Sequence, residues 1–375
     1  MKDRNIGLDI LRSVAIWNVL LMHIAIVLYA AKIAPIVWLP LPDGVDLFFV
    51  LSGYLIGRIM FKNFVFNKNS TASISKFLVS RWFRTLPNYY FLTFIVFSLE
   101  VLGKRHFFIP IYNLTFTQNL SPKIYNFYAE TWSLCIEEWY YVIVPLFIFL
   151  ITLGNKKRLD KNMFLGIILL LIIASPIIRF FYAKDFVFVN AKSFFDYRMI
   201  TFIRLDSIAY GTLAAFFSIE YKSIWKKYCV PFFWVGLLLL SANTIYQFCI
   251  LNQFLPVHHI YITNLNFIFN GIGVLLMLPK IESIQLKNEK LRKFFVHTSI
   301  ISYSMYLLQM TIILNIAILI FMAVASVNLF SVAVFLVLYV LAVYYISHLN
   351  YKHIELPFLK LRDKILDKYF SKKVE

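Results

Sequence analysis

The sequence predicts an all-α protein, a polytopic integral membrane bundle of about ten transmembrane helices with both termini in the cytoplasm. Composition is the first reason. Of 375 residues, 61% are apolar and 15% charged, with a mean hydropathy of +0.73, whereas a soluble domain carries about 45–50% and about 25%. A soluble core could not hide that much apolar surface. The second reason is that apolar runs of about 20 residues recur, each able to cross about 30 Å of hydrocarbon at 1.5 Å per residue. They lie near 8–31, 43–62, 86–102, 131–153, 163–182, 203–220, 229–250, 261–279, 299–322 and 326–349. The third is charge. With the N-terminus inside, the inner segments hold 26 of the 37 Lys and Arg residues. The outer segments share about eight, and the outer loops near 251–260 and 323–327 have none.

The opening "MKDRNIG" leads into an apolar run that contains charges and lacks a small-residue cleavage site, so the first span reads as a retained signal-anchor. That span, "LDILRSVAIWNVLLMH", carries Asp9, Arg12 and His23. Ionisable groups are expensive inside a membrane and mark a functional site by default. Arg12 and His23 are eleven positions apart, so on a helix they lie within about 20° of each other and about 16 Å apart along the axis. One face therefore carries a cation near the inner surface and an imidazole near mid-membrane.

The second span, "GVDLFFVLSGYLIGR", places Asp46 near its outer end and Arg58 near its inner end, with Ser52 and Gly53 where another helix can approach closely. In "SISKFLVSRWFRTLPNYY", Arg81 and Arg84 are three apart and share a helix face. Pro87 is expected to end that helix just before the third span. Paired guanidiniums suit phosphate oxygens, and these fall on the cytoplasmic side. The fourth span opens with "WSLCIEEWYYVIVP", where Glu137 and Glu138 differ by about 100° around a helix, so one can face the bundle centre while the other packs sideways. In "FIRLDSIAYG", Asp206 is a further candidate that Arg204 can neutralise locally. The ending "YKHIELPFLKLRDKILDKYF" can form a basic amphipathic helix on the inner leaflet. The chain thus reads as one membrane domain, 1–375, with spans over about 8–349, a basic cytoplasmic tail over about 350–375 and no soluble C-terminal domain.

Several classes are excluded. There is no GxxxxGK[ST] loop and no HExxH, and "GIGVLL" is not a dinucleotide fingerprint. The seven histidines do not cluster with carboxylates at ligand spacing, so no metal is expected. Cys135, Cys229 and Cys249 fall in spans, where inert packing is expected. The basic residues form no stripe, so nucleic acid is not a partner. "NST" at 69–71 matches a glycosylation sequon but faces the cytoplasm.

Taken in order, "LDILRSVAIWNVLLMH", "GVDLFFVLSGYLI", "RWFR" with "LPNYY", "WSLCIEEWYY", "RLDSIAYGTLAA", "SYSMYLL" and "IELPF" resemble the acyltransferase-3 family of membrane acyltransferases, which includes bacterial O-antigen, lipopolysaccharide and exopolysaccharide O-acetylases. The resemblance runs over roughly residues 6–360. It implies a ten-helix enzyme of the bacterial cytoplasmic (inner) membrane that moves an acyl group, usually acetyl, from cytosolic acyl-CoA to a hydroxyl of a cell-surface or lipid-linked glycan. It also implies that His23 is catalytic and that Arg81 and Arg84 serve activity and CoA binding. Where many relatives carry a histidine after "SYSMYLL", this chain has Gln309. Some relatives add a soluble outer domain; without one, the acceptor would meet the membrane domain directly or through a separately encoded outer acyl-relay protein.

Chemistry read from the residues fits this frame. A thioester is already activated, so the enzyme must deprotonate an alcohol and stabilise an oxyanion. His23 is assigned as base or acyl acceptor, with Glu137 as its orienting or proton-relay partner. Arg12, Arg81 and Arg84 are assigned to the acyl-CoA donor, and Asp46 and Glu138 to the remainder of substrate binding. Two alternatives stay open: a secondary transporter or flippase for a glycan or acylated metabolite, and a structural or sensory protein whose polar groups only join helices.

Overall fold

The computed structural model describes residues 4–30, 33–66, 71–103, 111–120, 127–155, 159–324 and 328–370. Among them there are helices and turns and no strand. The main helices are α1 (Ile6–Ala30), α2 (Gly44–Phe61), α3 (Thr71–Leu102), α4 (Trp132–Asn155), α5 (Lys161–Tyr182), α6 (Ala191–Arg198) and α7 (Leu205–Glu220). They continue with α8 (Cys229–Leu251), α9 (Asn266–Glu282), α10 (Glu289–Leu308), α11 (Asn315–Val324), α12 (Leu329–Asn350) and α13 (Leu356–Phe370). Short polar side chains start several of them, as expected where the first amides lack intrahelical partners. Asn5 accepts from the Leu8 amide, Asp43 from Val45, Asp160 from Asn162 and Met163, and Asn328 from Ser331.

Among the described residues, nine helical segments are long and apolar enough to cross a membrane. The tenth expected span, 203–220, is the 16-residue helix α7, about 24 Å long at 1.5 Å per residue and so short of about 30 Å. The chain is an integral membrane protein by these segments, and its outward surface agrees. On α5, Leu170, Ile173, Ile177 and Phe180 are each more than half exposed at three- and four-residue spacing, an apolar stripe that water would not tolerate. Phe330, Val337, Leu341 and Tyr345 do the same on α12.

One expectation fails at Pro87. It lies inside the continuous helix α3 instead of ending a helix before it. Proline's stop signal is weaker in a membrane helix, where packing by neighbouring helices tolerates the interrupted ladder. The carbonyl that Pro87 leaves without its helical donor is that of Phe83; on either side of it, Thr85 Oγ1 donates to the Arg81 carbonyl at 3.2 Å and the Tyr303 hydroxyl to the Thr85 carbonyl at 2.8 Å. Four π-helical turns, Lys62–Phe66, Tyr261–Leu265, Gln309–Leu314 and Tyr351–Glu355, interrupt or extend the helices. The expected tail helix forms as α13, with none of its residues buried. The sequon residues 69–70, the basic run 156–158, Lys2, Lys372, Lys373 and part of the 323–327 loop lie outside the described residues.

The chain divides into two compact units: Met1–Ser70, Asn119–Ile124 and Ser133–Ser299 form the first, and Thr71–Gln118, Tyr125–Trp132 and Ile300–Glu375 the second. In the first, α2 and α7 cross at Gly53 and Gly211. A Cβ on Gly53 would run into the Ile208 carbonyl, and one on Gly211 into the Val50 carbonyl, so only glycine lets the two backbones touch. Leu11, Val50, Tyr54, Tyr210, Val274 and Leu278 fill the core beside that crossing. In the second unit, α3, α12 and the second half of α10 share buried polar contacts among Asn88, Ser304 and Asn350.

Candidate active site

The helical continuity of α1 puts Arg12 and His23 on one face, as their spacing predicts. Both are half-buried. The start of this helix is fixed by Asp9, which accepts from Arg4 at 2.5 and 3.0 Å and from the Ser299 hydroxyl at 2.6 Å. Ser13 adds a bond to the Phe295 carbonyl at 2.9 Å. The helix bearing His23 is thereby tied to the first turns of α10.

Asp46, in the first turn of α2, is buried, and both of its oxygens are engaged. Oδ1 pairs with Arg204 just before α7, and Oδ2 accepts from Asn270 of α9 at 2.7 Å. The network continues. Asn243 of α8 donates to Asn270 at 2.7 Å, and Tyr261 donates to Asn243 at 2.8 Å. Arg204 is fully buried, with its guanidinium over the Phe267 ring at 4.2 Å. Asp43, the cap of α2, pairs with Arg198.

Asp206 does not take Arg204, its neighbour in sequence, as its hydrogen-bonded partner. Asp206 instead receives a two-pronged bond from Arg179 of α5 at 2.9 and 2.7 Å, and Arg179 also donates to the Ile203 carbonyl at 2.6 Å. Arg204 precedes α7 in a non-helical conformation, so its side chain can leave Asp206 and reach α2. Three arginines and three aspartates thus pair off inside the unit, which removes the cost of isolated buried charge.

On α4, Glu138 is buried and Glu137 half-buried. Glu137 accepts from the Tyr141 hydroxyl one turn later at 2.8 Å, and that hydroxyl lies 2.7 Å from Ser52 Oγ on α2. Tyr140, on the adjoining face, bonds Thr212 of α7 at 2.8 Å. A carboxylate at the head of such a chain can orient a neighbouring donor or pass a proton along hydroxyls.

Arg81 and Arg84 belong to the second unit, one turn apart on α3 and half-buried, with the Arg81 guanidinium 6.0 Å from the Phe77 ring centre. Around them three of the quoted stretches meet. Tyr303 of "SYSMYLL" bonds the Thr85 carbonyl, and Ser304 donates to Glu355 of "IELPF" at 2.9 Å. Asn350 bridges Ser304 and Asn88 of "LPNYY", each at 2.9 Å. Gln309 is buried, with its carbonyl accepting from Tyr339 at 3.0 Å. Among the described residues, no three His, Cys, Asp or Glu side chains come together as a metal site.

Arg179, Arg198, Asn243, Asn270 and Glu130 were not singled out from the sequence. Arg179 and Glu130 carried a usable signal, being charges inside or at the edge of apolar runs. The asparagines carried none, because a lone amide in a span is common.

A family model described as an acyltransferase domain matches residues 5–348. The chain belongs to the acyltransferase-3 family. Within known members, it is 26% identical over 251 residues to the O-acetyltransferase OatA of Staphylococcus aureus (strain NCTC 8325 / PS 47), covering 62% of this chain and 38% of that protein. It is 30% identical over 141 residues to the peptidoglycan O-acetyltransferase OatA of Listeria monocytogenes serovar 1/2a, covering 32% of this chain and 22% of that protein. The matched region therefore spans well under half the length of these relatives. No solved structure matches the chain.

Proposed function

We propose that this acyltransferase-3 member moves an acetyl group from cytosolic acetyl-CoA to a hydroxyl of a cell-surface or lipid-linked glycan, with both chain termini on the cytoplasmic side. One observation carries the reading beyond the family: quoted stretches far apart in sequence meet in polar contacts within each unit, Asp46 with Arg204 and Ser52 with Tyr141 and Glu137 in the first, and Ser304 with Glu355 in the second. His23 is assigned the role of base or transient acyl carrier, since a desolvated neutral imidazole can take the proton of an attacking alcohol. In the direct route the alcohol oxygen attacks the thioester carbonyl, the imidazole takes its proton, and the thiolate of CoA leaves and is reprotonated. Glu137, fixed through Tyr141 to Ser52, orients that imidazole or relays its proton. Arg12, Arg81 and Arg84 hold the phosphates of the donor by charge-assisted bonds. Asp46 and Glu138 complete substrate binding, Asp46 through its hold on Arg204 and Asn270.

The relatives' names support acetyl as the group moved, and the name of the Listeria protein makes peptidoglycan one acceptor to test beside O-antigen and exopolysaccharide. The test is mass spectrometry of surface glycans from cells with and without the gene. A difference of one acetyl group on one glycan residue is the expected result. Identical glycans from the two strains under expressing conditions would refute the proposal.

A further inference from the structure

Within the second unit, a π-helical turn over Gln309–Leu314 continues directly from α10. Such a turn inserts one residue into the helical ladder, so it rotates the downstream helix by about 100° relative to the upstream one. In a regular helix the Thr311 amide would donate to the Leu307 carbonyl. Here each has a side-chain partner from the short segment before α4. The Tyr128 hydroxyl donates to the Leu307 carbonyl at 2.5 Å, and the Thr311 amide donates to Glu130 Oε1 at 3.0 Å. The Thr311 hydroxyl donates to Glu130 Oε2, and the Tyr306 hydroxyl donates to the Glu130 carbonyl at 2.6 Å. Burial and the neighbouring Glu130 hold the Tyr128 phenol well above its ordinary pKa, which keeps it a donor.

Glu130 itself is only 2% exposed, and no ion pair among the described residues includes it. A carboxyl group so placed is poorly suited to carrying charge and well suited to accepting and sharing hydrogen bonds. The helix it clamps is the one whose Tyr303 bonds the Thr85 carbonyl, next to Arg84. Letting the π turn relax into an α turn would twist α10 against its fixed continuation and pull on that contact.

We propose that Glu130 is a positioning residue: by hydrogen bonds to Thr311, not by charge, it holds the π turn Gln309–Leu314 and so sets α10 against α3 where Arg84 grips the donor. This rests on the assignment of Arg84 to the acyl-CoA donor. Glu130→Gln keeps an acceptor for the Thr311 amide and meets the Thr311 hydroxyl with an N–H, so that the hydroxyl turns from donor to acceptor and the contact is retained in reverse, whereas Glu130→Ala keeps neither bond and Thr311→Val removes the hydroxyl alone.

The experiment uses the purified full chain in lipid nanodiscs, with two readouts for each variant: amide hydrogen exchange over 307–314 and equilibrium binding of acetyl-CoA. Glu130→Ala should speed exchange and weaken acetyl-CoA binding, each by about 10-fold. Glu130→Gln should stay within about 3-fold of the wild type in both, and Thr311→Val should fall between. Three results would overturn the proposal: a Gln variant as impaired as Ala, which would make charge essential; an Ala variant with unchanged exchange; or faster exchange with unchanged binding, which would leave Glu130 purely structural. If the wild type itself fails to bind acetyl-CoA, the donor assignment falls, while the exchange data still decide whether the clamp exists.

Discussion

Asp46→Ala tests the buried network at its centre. The substitution leaves Arg204, which has no exposed side-chain surface, without its carboxylate partner. Its Nε and Nη1 atoms find no hydrogen-bond acceptor among the described residues, and the guanidinium lies against Phe267, so its hydrogen bond to Asp46 has no ready replacement. Breaking a buried pair from one side costs about 3–5 kcal/mol. The Asn270 amide loses its 2.7 Å acceptor as well, worth about 1–3 kcal/mol if left unmade. Against a typical total stability of about 5–15 kcal/mol, the variant should be close to unfolding. The double variant Asp46→Leu with Arg204→Met removes both charges together and should recover at least about 2 kcal/mol relative to the sum of the single changes. The assay is denaturant unfolding of the purified protein in detergent, followed by tryptophan fluorescence. An Asp46→Ala variant within about 0.5 kcal/mol of wild type, or strictly additive singles, would refute the reasoning.

Replacing both Arg81 and Arg84 with Gln should raise the apparent KM for acetyl-CoA by about 10-fold or more, through loss of charge-assisted phosphate bonds; steady-state kinetics on normally expressed protein would show an unchanged KM if the pair serves topology alone. Gly211→Ala should destabilise by about 1–3 kcal/mol or more because its Cβ meets the Val50 carbonyl. Gly166→Ala on α5, where nothing lies within 4 Å of the new Cβ, should be neutral or stabilising by about 0.5–1 kcal/mol, and thermal melting of the two side by side checks the contrast. A reporter active only outside the membrane, fused after Glu375, should give no signal, and a strong signal would overturn the inside assignment of both termini.

The spans were legible because a membrane imposes a length and a composition that few other constraints mimic: six of the nine segments lie near their expected limits, while Ser73–Leu102, Glu289–Phe321 and Phe330–Phe370 run on well past them as helix. The misses came where rules learned in water met the inside of a bundle. Pro87 reads as a stop, yet the helix runs through it, as packed membrane helices tolerate. Arg204 reads as the partner of Asp206 because the two are close in sequence. Their side chains part at the start of α7, and Arg179, 27 positions away from Asp206, takes the place of Arg204. Candidates drawn from the charges were legible one by one, as with Asp46 and Glu137. Their partners were not, since Asn270, Asn243 and Tyr141 look ordinary until the fold brings them near. The π turn at Gln309 had no sequence signal at all, because its stability lies in Tyr128, Glu130 and Tyr339 from elsewhere in the chain.

The most direct measurement is the rate of acetyl transfer from acetyl-CoA to the identified glycan by purified His23→Ala beside wild type. Melting behaviour and acetyl-CoA binding are measured on the same samples. With the imidazole as base, transfer should fall by about 100-fold or more, in line with the contribution of general base catalysis, while folding and donor binding remain at wild-type levels. Transfer retained within a few-fold of wild type would contradict the assignment and leave Glu137 as the group to test next.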